Sequence, residues 1–96
     1  MKSNSLEDYS SEIRKILDHG YSDVMLKEIK PNLDTGFHTH DFGAYACVVK
    51  GQFTLNDTKK DHILNPGDFL EVQINQEHSE KTSPEGATIL IGKKYR

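Results

Sequence analysis

From Ser22 onward the chain is divided into short runs rich in β-branched and aromatic residues, each closed by Gly, Pro, Asn, Asp or Ser, and a chain so punctuated has few options other than a sheet fold. The runs fall at residues 24–29, 37–40, 44–50, 52–55, 62–64, 69–72, 77–82 and 87–92. Between them stand Pro31-Asn32, Asp34-Thr35-Gly36, Asp41-Phe42-Gly43, the single Gly51, the polar stretch 56–60, Asn65-Pro66-Gly67-Asp68 and Ser83-Pro84-Glu85-Gly86. About eight or nine strands this short and this regularly spaced predict an all-β sandwich or barrel.

The first segment has a different period. Leu6, Tyr9, Ile13, Ile16 and Leu17 recur at spacings of three and four, the stripe of a short helix over residues 5–18, with Ser5 as N-cap, Asp8 in an acidic first turn and Gly20 as the stop. The expected organisation is a helical segment, residues 1–23, packed on a barrel of residues 24–96. A chain of 96 residues makes one domain, without room for a separate catalytic or DNA-reading module. Hydrophobic residues make up 34% of it, a share that leaves core burial marginal, so pairing of two protomers along sheet faces or edges is expected to form a homodimer.

The net charge of -3 offers no basic footprint for nucleic acid, and Lys59-Lys60 and Lys93-Lys94 read as a solvated turn and terminus. No run approaches the length of a membrane span, and MKSNSLEDYSSE lacks the apolar core of a signal peptide, so no membrane partner and a cytoplasmic location are expected. The single cysteine, Cys47, cannot form an internal disulfide and fits a reducing compartment. Alternation within Ala-Tyr-Ala-Cys-Val-Val places it opposite the face shared by Ala44, Ala46 and Val48, where it reads as a small buried hydrophobe rather than a ligand.

The chemistry concentrates in the histidines. His38 and His40 are two residues apart, so on an extended segment both imidazoles share one face, a metal-ligand spacing for a β protein. A third, His78, follows the turn at Pro66-Gly67-Asp68. His19 reads as the end of the helix, where a cation is mildly favoured, and His62 as a partly buried strand residue sharing a face with Leu64.

The stretches NLDTGFHTHDFGAYACVVKG, residues 32–51, and GDFLEVQINQEH, residues 67–78, together resemble the two sequence motifs of the cupin family. His38 and His40 match the paired ligands of the first motif, Gly51 its closing glycine, Gly67-Asp68 the turn that opens the second motif, and His78 its histidine. The resemblance spans roughly residues 24–92 and implies a double-stranded β-helix, the jelly-roll barrel, with a short N-terminal helix and with a divalent metal, Zn, Fe, Ni, Mn or Cu, inside it. Where the family pattern has a glutamate ligand this chain has Ala44; Asn32, Gln73 and Asn75 also depart from the motifs, without touching the chemistry.

A substitute carboxylate is available. Glu80 lies two residues after His78 and on a strand should point the same way, either completing the coordination sphere or hydrogen-bonding a ligand; the other outcome is a place at the rim, hydrated or paired with Lys81. Asp41, beside His40, reads as a turn cap, and Phe42, Tyr45 and Phe69 as core or dimer packing, with stacking on a flat ligand as the other use. Ala44 and Ala46 would leave space near the metal for a small-molecule ligand. Two functions remain open: a metal-binding cupin held by His38, His40, His78 and Glu80, with dioxygenase- or isomerase-like catalysis conceivable, or a metal-free domain that binds or senses a small molecule.

Overall fold

The computed structural model describes residues 6–95, so Ser5 and its expected capping role lie outside the described residues. The helix is shorter than its hydrophobic stripe. A 3-10 turn, Leu6–Tyr9, leads into α1, Ser10–Asp18, and Tyr9 at the N-cap position makes no side-chain capping bond. At the other end the His19 Nδ1 donates to the Lys15 carbonyl at 2.7 Å and Gly20 turns left-handed, as a helix stop requires. Only Ile16 is fully buried, with Tyr9 and Ile13 half-buried beside it; Leu6 and Leu17 face solvent.

Five strands follow: β1 Ser22–Ile29, β2 Gly43–Asn56, β3 Asp61–Leu64, β4 Phe69–Val72 and β5 Ser79–Lys94. The expected eight or nine shrink to five because two of the predicted breaks are bends inside long strands and one predicted strand, 37–40, is not a strand. β2 continues through Gly51, and β5 continues through Ser83-Pro84-Glu85-Gly86. The two bends face each other. The β2–β5 register shifts between Val48 and Lys50 and again between Gly51 and Phe53, and Gly51 pairs with Ala87. Gly51 and Gly86 both have positive φ, 74° and 73°, and a Cβ on Gly51 would strike the Gly86 carbonyl oxygen. Glycine is therefore required there for shape, and the corner curls the sheet without ending a strand.

All pairings are antiparallel. The order is β1-β5-β2-β3, with β4 also on β2: β4 pairs the first half of β2, Ala44–Cys47, and β3 its second half, Phe53–Asn56. The β2–β3 hairpin turn is closed by Asx geometry, with the Asn56 side chain accepting from the Thr58 N–H and the Asp57 carboxylate from the N–H groups of Lys59 and Lys60. His62 donates from Nε2 to the Asp57 carboxylate at 2.8 Å, and that bond, followed by the two backbone donors, holds the Asp57 carboxyl well below the usual range.

Alternation gives this sheet two apolar faces. On the inner one lie Ala44, Ala46, Val48, Phe53 and Leu55 of β2, Ala87 and Ile89 of β5, Leu64 and Val72. On the outer one Tyr45, Cys47 and Leu90 meet Ile16 and Tyr21. Burying side chains of this size stabilises by about 1.5–3 kcal/mol each, and here the second cluster exists only because α1 covers it. The helix comes close because Gly92 has no side chain: a Cβ there would strike Ile16 Cγ2. Cys47 sits on the outer face as expected; burial pushes its thiol up, away from reactivity.

Candidate metal centre

Segment 32–40 enters the inner face alongside 75–83 without regular strand pairing. The Leu33 N–H donates to Thr82 Oγ1 at 2.9 Å, the Thr35 N–H to the Glu80 carbonyl at 3.0 Å, and the Glu80 N–H to Thr35 Oγ1 at 3.0 Å. Two of these three bonds use a threonine hydroxyl in place of a backbone partner, and no continuous strand forms at 37–40. What survives is two isolated bridges, Asp34 with Lys81 and His38 with His78; in the second the His38 N–H donates to the His78 carbonyl at 2.9 Å and the His78 N–H to the His38 carbonyl at 3.0 Å. The Asn75 N–H, on a residue with left-handed φ of 64°, donates to the His40 carbonyl at 2.9 Å.

The His38–His78 bridge sets two imidazoles side by side. The ring centroids of His38 and His78 are 4.5 Å apart, those of His38 and His40 4.8 Å, and those of His40 and His78 5.3 Å. Glu80 joins them, its Oε2 lying 3.3 Å from His78 Nε2. One donor atom from each of His38, His40, His78 and Glu80 lies within 4.8 Å of the others, which is the spread a single ion can bridge. Two of the expected alternatives for Glu80 separate here, since it turns toward His78 rather than pairing with Lys81.

The ring nitrogens are sorted for coordination. His38 Nδ1 lies 2.9 Å from the Gly36 carbonyl and His78 Nδ1 2.9 Å from the Gln76 carbonyl. A carbonyl can only accept, so both Nδ1 atoms carry the hydrogen and both Nε2 atoms are left to the cluster. At His78 this places the Nε2 lone pair against a carboxylate oxygen, two acceptors that attract only with a cation or a second proton between them. His40 is held below the usual imidazole range, first by desolvation and then by the neighbouring imidazoles of His38 and His78, so it is neutral near pH 7, the state a ligand needs.

The cluster opens into a cavity of about 190 Å³. Its floor is the inner-face row Ala44, Ala46, Phe53, Leu55, Val72, Ile89 and Ile91, and its wall includes Phe42, whose ring stacks on His40 at 4.8 Å. Lys27 and Lys93 complete the lining. Phe42 thus belongs to the site, whereas Tyr45 is buried on the outer face, stacked on Phe69. Lys93, read above as part of a solvated terminus, is a wall residue because it follows Ile89 and Ile91 at period two; Lys27 stands likewise between Met25 and Ile29. Alternation was the signal that sequence reading left unused. Asp41 is exposed and outside the cluster, and His19 and His62 are engaged elsewhere. A broader groove of about 550 Å³ runs along 28–31, 50–51 and 85–88; it contains no imidazole or thiol.

Comparison with known proteins agrees with this fold. A chain of unknown function from Rhizobium leguminosarum bv. viciae 3841 superposes with a TM-score of 0.71 at 12% identity, over 76% of this chain and 69% of that one. An RmlC-like cupin from Shewanella frigidimarina NCIMB 400 gives 0.66 at 19% identity, over 76% and 65%. A chain from the crystal structures of the DMSP lyases RdDddP and RnDddQII gives 0.66 at 25% identity, over 74% of this chain but 37% of that one. In the latter two the match spans less than two thirds of the relative's length. No curated protein matches the sequence. No described helix is long and apolar enough to cross a membrane. The cupin domain profile matches residues 25–91, and by that match, the jelly-roll sheet and its neighbours, the chain belongs to the cupin domain family.

Proposed function

We propose that this protein is a metal-binding cupin in which His38, His40, His78 and Glu80 hold one divalent ion facing a small-molecule pocket. The observation that carries the reading is the sorted donor set: two imidazoles locked through Nδ1 to backbone carbonyls, with their Nε2 atoms and the Glu80 carboxylate drawn to one point. Mixed nitrogen and oxygen donors of this kind suit Zn, Fe, Ni, Mn or Cu. A bound ion would supply a Lewis acid. The chain's own part is to fix the imidazole tautomers, to present a carboxylate in place of the glutamate absent at Ala44, and to close one side of the site with apolar wall. That one structural relative is named a DMSP lyase accords with small-molecule chemistry in such a pocket.

Elemental analysis of protein purified without affinity tag or chelator tests this. One equivalent of a transition metal, lost in the His38→Ala/His78→Ala double variant, is the expected result. Metal at background in the unaltered protein, with no rise in thermal stability on adding Zn, Fe, Ni, Mn or Cu salts, would overturn it.

A second reading, a metal-free binding or sensing domain, is favoured by one observation. The 3.3 Å contact of His78 with Glu80 can be an imidazolium–carboxylate pair, and among the described residues no buried side-chain nitrogen or oxygen lacks a partner. The same metal analysis separates the two.

A further inference from the structure

The cavity lining carries two lysines outside the metal cluster. On β1, Met25, Lys27 and Ile29 line the cavity, and on β5, Ile89, Ile91 and Lys93 do. The register sets Lys27 against Ile89 and Lys93 against Ala44, so both lysines extend inner-face rows that are otherwise apolar. Lys93 is half-buried and its Nζ lies 4.6 Å from the centroid of the Phe42 ring, which in turn stacks on His40. Among the described residues neither lysine has a carboxylate within salt-bridge distance, for the two bridges found are His62–Asp57 and His78–Glu80. The nearby Asp23 is bonded to Tyr95.

For the half-buried Lys93 an ammonium group on an inward-facing row costs desolvation that an apolar residue would not, and among the described residues no acid pairs with it; Lys27 is exposed. The charge balance points the same way. Apart from the imidazoles, the lining carries one carboxylate, Glu80, and two ammonium groups, a net charge of about +1 without any ion. A cavity of about 190 Å³ holds about six waters at ~30 Å³ each, enough for a small organic acid.

We propose that the ligand of this cavity is a small aliphatic carboxylate, its anionic group taken by Lys93 with Lys27 at the mouth and its carbon skeleton lying on the Ala46–Ile89–Ile91 floor. This rests on the cavity assigned above but not on the ion: Lys93 and Lys27 are not in the histidine cluster, so the two readings fail separately.

Titration calorimetry of the metal-loaded and the chelator-stripped protein with acetate, propionate and succinate, and with their amides, tests it. At least one acid should bind saturably, with its amide about tenfold or more weaker, the loss of one charge-assisted hydrogen bond. Lys93→Gln should weaken the acid by a similar factor while leaving metal stoichiometry and melting temperature unchanged, and Lys93→Arg should restore it. Binding of acids by stripped protein that Lys93→Gln abolishes would uphold the assignment even if the metal reading fell. Equal affinity for acid and amide, no change in Lys93→Gln, or no saturable binding of any of the acids would overturn it with metal fully loaded.

Discussion

Each cluster residue has a separate task, and the tasks predict separate losses. His78 is 1% exposed, joined to His38 through both backbone groups, to Gln76 through Nδ1 and to Glu80 through Nε2. Glu80 is a quarter exposed and contributes charge more than packing. Glu80→Gln keeps shape and removes the only carboxylate in the cluster, so it should weaken metal binding about 10- to 100-fold while shifting the unfolding midpoint of the stripped protein little. Competition against a fluorescent chelator measures the first and urea titration the second; unchanged metal affinity would place Glu80 outside the coordination sphere. The pairing of His38 and His40 was legible in the sequence, because a two-residue spacing on extended backbone puts both side chains on one face, and His78 was legible through the resemblance of residues 67–78 to the second cupin motif. Glu80 was legible as a direction by the same rule. Lys27 and Lys93 were not read, since a terminal lysine pair looks solvated until a strand is known to run past it.

At the scale of elements, the misread features share one cause: glycine and proline punctuate both turns and bends. Gly51 looks like a strand end, and Ser83-Pro84-Glu85-Gly86 like a loop, yet both lie inside long strands at the point where the sheet folds over. Only pairing partners tell the two apart, and those are far along the chain. Gly51→Ala tests the corner. It would place a side chain at positive φ, at a cost of about 1–2 kcal/mol, and drive a Cβ into the Gly86 carbonyl, so a total loss of about 2–4 kcal/mol is expected from urea unfolding. A variant within about 0.5 kcal/mol of the parent would show that the corner can relax. The segment 37–40 was misread for another reason. Just ahead of it the Thr35 hydroxyl accepts the Glu80 N–H, and within it His38 alone forms a bridge, a pattern no periodicity announces.

The whole molecule is a flat body, 36 × 34 × 16 Å, close to the thickness of two packed layers. Its sheet edges, β1, β3 and the far side of β4, differ. β1 is interrupted by a bulge between Ser22 and Met25, with Asp23 in a left-handed conformation and a lysine at position 27, features that discourage pairing with another chain. β3 has no such guard and carries Ile63 at 57% exposure. Association of two copies along β3 is the expected assembly. Sedimentation equilibrium should give about twice 10.9 kDa, and Ile63→Lys should move the mass toward the monomer; a monomer at high concentration would dismiss it.

The alternation of β2 and β5 has one more consequence. Ahead of the bend in β2 the even positions, Ala44 and Ala46, and beyond the bend in β5 the odd positions, Ile89 and Ile91, face the ligand chamber, while Tyr45, Cys47, Leu90 and Gly92, of opposite parity, form the seat of the helix. The two programmes are interleaved in one reading frame. Adding a single residue ahead of Ile89 would swap them, turning Lys93 to the helix side and Leu90 into the chamber, unless a bulge like the register shifts at the Gly51 bend absorbed it; adding two would restore the phase.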